Sequence, residues 1–212
     1  MSEPMIIAID GPSASGKSTV SRGVARELGC LYVDTGAMYR AFTWKALQDK
    51  IDYQSEEVVE GWIRPITLTT HTDGKSVSLQ VNGQALDDAW LRTAEVNASV
   101  SYLARVPGVR TEAVNVQRDL RKLGSLVAEG RDIGTVVFPG ADFKFYVDVP
   151  EEIRAARRAA QGMTDSIAQR DQMDSTRKTA PLKMAEDAVL IENIGTAEET
   201  IARIMATIRA KV

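Results

Sequence analysis

The chain changes rhythm along its length, and the change divides it. Five short apolar runs, Met5 to Ile9, Leu31 to Val33, Ser125 to Ala128, Phe143 to Val149 and Ala188 to Ile191, are too short for helices and predict buried strands. Helical spacing fills several of the gaps between them. It is clearest at the end, where Ile201, Ile204, Met205 and Ile208 fall at i, i+3, i+4 and i+7 behind a capping-box pair, Thr196 and Glu199. Strands alternating with helices predict an α/β chain whose parallel sheet is covered on both faces. The middle departs from this. Ile66 to Thr70 and Ser76 to Val81 alternate in polarity around Asp73-Gly74, and Asn82-Gly83 follows at once, so three short antiparallel strands ending near Leu86 are expected as an insertion. Two helices are predicted next, Thr93 to Arg105 and Val109 to Lys122, separated by Pro107-Gly108.

Composition narrows the chemistry. The chain has 212 residues, 44% hydrophobic and 26% charged, enough for one main domain with insertions and a core of its own. A single cysteine, Cys30, and a single histidine, His71, leave no material for a disulfide or for a zinc cluster of those ligands. Cys30 is expected in the core and His71 on a solvated loop or strand. With 26 basic and 29 acidic residues the net charge is -3, which argues against binding nucleic acid or a membrane surface. Met1 to Pro4 carry no leader-like pattern and no run reaches the roughly 18 apolar residues of a bilayer span, so a cytosolic protein is expected. Arginines outnumber lysines 17 to 9, which suits forked grips on phosphate.

The strongest motif is Gly11-Pro12-Ser13-Ala14-Ser15-Gly16-Lys17-Ser18, directly after the first strand and before a helix that closes at Gly29. It fits G-x-x-x-x-G-K-[ST], with Thr19 just behind it. Its glycines let amide groups turn toward phosphate oxygens, Lys17 can reach the β and γ oxygens, and the Ser18 hydroxyl can ligate Mg²⁺. Such a turn is shared by GTPases, motor ATPases and small-molecule kinases. No N-K-x-D run reads guanine, and the chain is short for a motor, although the strand ending at Asp148 loosely fits a motor's acidic strand. Two stretches follow strands whose ends face the same edge as the turn: Asp34 to Arg40 and Glu129 to Thr135. Arg40 and Arg131 are therefore candidates to converge on an acceptor phosphate. Arg170, Asp174 and Arg177 are spaced to share one face of a helix, either as a site or as an ion-pair set.

Taken together, these stretches resemble bacterial-type cytidylate kinases. The matching runs are I-D-G-P-S-A-S-G-K-S-T from Ile9, D-T-G-A-M-Y-R from Asp34, R-T-A-E-V-N from Arg92, E-G-R-D-I-G-T-V-V-F-P from Glu129 and R-D-Q-M-D-S-T-R from Arg170, followed by A-P-L from Ala180. The resemblance implies a P-loop nucleoside monophosphate kinase fold over residues 1–212: a five-stranded parallel core, an acceptor-binding insertion at about 63–105 and a lid at about 151–177. It implies transfer of the γ-phosphoryl group of ATP to CMP or dCMP with Mg²⁺, by a monomer that acts on small molecules. Lys17 and Arg131 would be catalytic, and residues 11–19 with Arg157 would hold ATP. Thr35, Tyr39, Arg40, Arg131 and Arg177 would hold the acceptor and its phosphate. Cytosine would be read by Ser101, Arg110, Asp132 and Arg177, and the sugar would meet Arg170 and Asp174. Only Ala159 to Gln169 separate Arg158 from Arg170, a shorter lid than the family's. A kinase for another small acceptor and a nucleotide-sensing module are the alternatives; the second would bind ATP and turn nothing over.

Overall fold

A computed structural model describes residues 3–160 and 167–211. In chain order the elements are β1 (Ile6–Asp10), α1 (Lys17–Leu28), β2 (Leu31–Asp34), α2 (Thr35–Gln48), α3 (Glu56–Ile63), β3 (Leu68–Thr72), β4 (Val77–Val81), β5 (Gln84–Ala85), α4 (Asp88–Leu91) and α5 (Ala94–Ala104). They continue with α6 (Pro107–Asp119), β6 (Leu126–Gly130), β7 (Phe143–Asp148), α7 (Glu151–Ala160), α8 (Ile167–Thr176), β8 (Val189–Glu192) and α9 (Ala197–Arg209). The main sheet runs in the order β2-β6-β1-β7-β8 with every pairing parallel.

The two-residue period of a strand explains why both faces of this sheet are apolar. In β1, Ile6 and Ala8 face one layer while Ile7 and Ile9 face the other, and all four are buried. The Ile6 side packs on α2, α3, α5, α6 and the insertion, through Met38, Phe42, Val59 and Leu103. The Ile7 side packs on α1 and α9, through Val20, Val24, Ile201 and Ile204. Cys30 belongs to this second layer. α9 begins with the full capping box of Thr196 and Glu199.

The insertion is a three-stranded antiparallel sheet, β3-β4-β5. Asn82 and Gly83, with φ of 50° and 78°, form the two-residue turn between β4 and β5. Tyr32 on β2 donates its N–H to Lys75 at 3.0 Å, which ties the β3–β4 turn to the edge of the main sheet. His71 is exposed on β3.

Two local expectations are corrected. Pro107 does not break a helix but begins α6, with Val106 as its N-cap; proline suits the first helical turn, whose N–H groups have no intrahelical partner. α8 ends at Thr176, so Arg177 lies beyond the helix and does not share a helical face with Arg170 and Asp174. Helices α3 and α4 were not foreseen; each is started by a side-chain cap, Ser55 and Asp87. Within the expected lid, residues 161–166 lie outside the described residues.

Candidate active site

The carboxyl ends of β1, β2 and β6 open on one cleft of about 860 Å³. Its floor is the glycine-rich turn between β1 and α1. Gly11 passes so close to β7 that a Cβ there would lie 2.2 Å from the Val147 carbonyl oxygen, and Gly16 takes φ 82° where a Cβ would strike the Asn193 amide at 2.4 Å. Ala14 also adopts positive φ, 58°. These conformations curl the backbone into a concave run of amides at the start of α1, whose N-cap Gly16 offers no side-chain acceptor to the first-turn N–H groups. That end of the helix suits an anion.

Lys17 is buried at the mouth of the turn, and its Nζ donates to the Pro12 carbonyl at 2.9 Å. Burial, then the neighbouring Arg131, lowers its pKa to about 7. A cation held so unfavourably is a ready partner for phosphate oxygens. Ser18 Oγ donates to Glu129 Oε2 at 2.9 Å, and the other carboxylate oxygen of Glu129 accepts the Tyr32 hydroxyl. The Ser18 and Glu129 oxygens beside an anion cradle form a hard-oxygen donor set that fits Mg²⁺, which takes few protein ligands and several from phosphate and water.

Asp34 starts α2 by accepting the Ala37 N–H at 3.0 Å, and its carboxylate also faces two arginines: Arg40 at 3.8 Å and Arg92 at 3.5 Å. Arg131 leaves β6 and donates through Nε to Asp174 Oδ2 at 2.9 Å, while Ser101 donates to Asp174 Oδ1 at 3.2 Å. Burial alone would raise the Asp174 carboxyl, but Arg131 and Arg177 override it and hold its pKa low. Lys17, Arg40 and Arg131 thus line the same cleft.

Among the expected site residues, Ser13 to Thr19, Thr35, Tyr39, Arg40, Ser101, Arg131, Arg157, Arg170, Asp174 and Arg177 line this cleft. Gly11 and Pro12 form the base of the turn. Arg110 and Asp132 stand behind the wall, buried and ion-paired with each other, and Arg177 reaches Asp132 at 3.5 Å. Arg157 donates through Nη2 to the Asn193 carbonyl at 2.9 Å, at the Gly16 end of the cleft.

Several contributors had no assigned role in the sequence. Arg92 enters the cleft from the insertion, and Asn193 donates its amide to the Ser15 carbonyl at 2.7 Å while accepting from Thr200 Oγ1 at 2.7 Å. Asp10 receives the N–H groups of Ile133 and Gly134, both at 2.8 Å, and so fastens the Glu129 to Thr135 stretch to β1. Burial, partly opposed by those two amides, pushes its carboxyl up to about 6. The folded state therefore holds this proton more tightly than the unfolded chain, and stability is lost as pH rises through that value. Relative to Asp10→Asn, the wild type is expected to gain stability between about pH 7 and about pH 4. Urea unfolding of both across that range would contradict this if their difference stayed flat.

The family model for cytidylate kinase matches residues 7–211. The chain belongs to the cytidylate kinase family. A bifunctional pantoate ligase/cytidylate kinase of Synechococcus sp. (strain RCC307) is 44% identical over 99% of this chain, which spans 43% of that relative's length. The cytidylate kinase of Geobacillus sp. (strain WCH70) is 40% identical over 97% of both chains. A relative from Anoxybacillus flavithermus aligns over 224 positions with all of this 212-residue chain, so the alignment leaves gaps in the present sequence. Among solved structures, a gluconokinase from Sinorhizobium meliloti 1021 superposes with a TM-score of 0.53 at 12% identity, covering 100% of this chain and 99% of its own. Shikimate kinase from Acinetobacter baumannii gives 0.51 at 16%, covering 98% and 94%. Those two share the fold. Among the described residues no helix is long and apolar enough to cross a membrane.

Proposed function

We propose that this chain transfers the γ-phosphoryl group of ATP to CMP or dCMP, giving ADP and the corresponding diphosphate. The observation that carries the reading is the single cleft in which a P-loop lysine faces two acceptor-side arginines, Arg40 and Arg131, in a member of the cytidylate kinase family. The turn from Gly11 to Thr19 holds the ATP phosphates, and Arg157 borders the same nucleotide. Thr35, Tyr39, Arg40 and Arg131 receive the acceptor phosphate, with Arg177 at its far side. Ser101, Arg110, Asp132 and Arg177 read cytosine, and Arg170 and Asp174 meet the sugar. The insertion at about 63–105 closes on the acceptor, and the segment at about 151–177 serves as the lid.

An acceptor phosphate is largely ionised at neutral pH, so the chemistry needs no general base. What it needs is alignment and charge compensation. Lys17 and Arg131 offset the negative charge that grows on the transferring group. Ser18 would hold Mg²⁺, with Glu129 orienting the Ser18 hydroxyl. Bound there, the ion would supply Lewis-acid stabilisation of phosphate charge. Proton transfer from protein groups plays no part in the step.

The test measures ADP release from ATP against a panel of acceptors. CMP and dCMP are expected to drive turnover, and shikimate and gluconate are not. Equal turnover with a non-nucleotide acceptor would replace this reading with that of a different small-molecule kinase.

A further inference from the structure

Both main-chain polar groups of Ser13, in the middle of the glycine-rich turn, are taken by an ion pair from the two helices that follow β7. The Ser13 N–H donates to Asp171 Oδ1 at 3.0 Å, and the Ser13 carbonyl accepts Arg154 Nη1 at 3.1 Å. Arg154 and Asp171 are themselves hydrogen-bonded, and Arg154 Nε is anchored to the Val149 carbonyl at 3.0 Å. Ser13 and Arg154 are buried. A carboxylate that accepts one amide and a guanidinium that donates to the next carbonyl leave the turn little freedom at this residue, because charge-assisted bonds out of water are strong and directional.

Asp171 lies on α8, three residues before Asp174, so both side chains fall on one side of the helix. Asp174 grips Arg131 and Ser101, on the acceptor side of the cleft. One short helix therefore fastens the phosphate-binding turn with one carboxylate and the acceptor-side arginine with the other. We propose that Arg154 and Asp171 are a positioning pair that couples the two substrate subsites: ordering the turn around ATP orders α8, and through it the acceptor residues. This rests on the reading of the cleft as a (d)CMP kinase. Coupling of this kind is reciprocal, since each ligand must tighten the other by the same factor.

Calorimetry of the full chain tests it, with a non-hydrolysable ATP analogue and CMP measured separately and together. In the wild type each ligand is expected to tighten the other by about fivefold or more. Asp171→Asn keeps an acceptor for the Ser13 N–H but removes the charge that pairs with Arg154, and the factor is expected to fall below about twofold. Asp171→Glu, which keeps the charge, is expected to restore part of it. Should Asp171→Asn fail to fold, Arg154→Lys carries the same expectation, because lysine keeps the charge and loses the fork that bridges Val149, Ser13 and Asp171. Wild-type coupling near one overturns the proposal. So does a folded variant that loses thermal stability and keeps the wild-type factor, which would make the pair merely structural. If CMP does not bind the wild type at all, the kinase reading fails first, and the two failures are told apart.

Discussion

Lys17→Ala is expected to lower kcat by about 10³-fold or more while the protein stays folded. On the proposed reading Lys17 compensates the charge that accumulates on the γ-phosphoryl group, and removing it takes that compensation away. Yet the net effect of the Lys17 charge on the fold is unfavourable: burial and Arg131 outweigh the attraction of Glu129 and Asp34 and lower its pKa to about 7. Its hydrogen bond to the Pro12 carbonyl lies within the turn itself. The melting temperature of Lys17→Ala should therefore equal or exceed that of the wild type. Full CMP-dependent ADP release from the folded variant would remove Lys17 from the mechanism, and collapse of the fold would remove it from its place in this energetic account.

The second large effect concerns the base. On the proposed reading, Asp132, now paired with Arg110 and Arg177 behind the cleft wall, turns its carboxylate to cytosine's exocyclic amino group, and the two arginines donate to the ring nitrogen and carbonyl. Cytosine presents that complement, whereas uracil reverses it at N3 and C4. A pocket built from buried polar groups leaves them unpaired when the wrong base enters, so kcat/KM for CMP should exceed that for UMP by about 10²-fold or more. Equal values for the two bases would dismiss Asp132 and Arg110 as readers. Asp132→Asn should narrow the ratio chiefly by harming CMP. That variant also leaves two buried guanidiniums short of their anion, a defect that costs about 3–5 kcal/mol, so its melting temperature must be measured alongside.

β1 and β6 were legible because each is an apolar run in a sheet covered on both faces, whereas Lys144 interrupts β7 and the expected buried strand at Ala188 to Ile191 is instead the edge strand β8, with Leu190 half exposed. The phosphate-binding turn was legible because its fixed residues answer to backbone geometry: Gly11 and Gly16 sit where a Cβ would collide. The small helices were less visible. α3 spans eight residues and α4 four, too few turns for a periodicity to establish itself against the flanking polar sequence. Pro107 was misread for a different reason: proline ends one helix and begins another with the same chemistry, and only the chain direction of the flanking residues distinguishes the two.

The site divides in the same way. Arg40 and Arg131 could be placed from topology, since both follow strands that end on the catalytic edge. Arg110 and Asp132 came only from resemblance, and spacing alone gives no sign that residues 22 apart form a buried pair. Arg177 escapes the helix that its spacing suggested and turns to Asp132. The contacts that brace the turn are the least legible of all: Asp171 reaches Ser13 across 158 positions, and Asn193 reaches Ser15 across 178. Polar side chains that serve backbone groups of distant segments carry no local pattern, so only three-dimensional packing reveals them.

The most direct test of the central claim follows the terminal phosphate of ATP itself. With ATP carrying radioactive phosphorus at the γ position, incubation with CMP and Mg²⁺ is predicted to move the label into CDP, in amounts equal to the ADP formed. Label that stays in ATP, or that appears as inorganic phosphate whether or not CMP is present, would contradict the account.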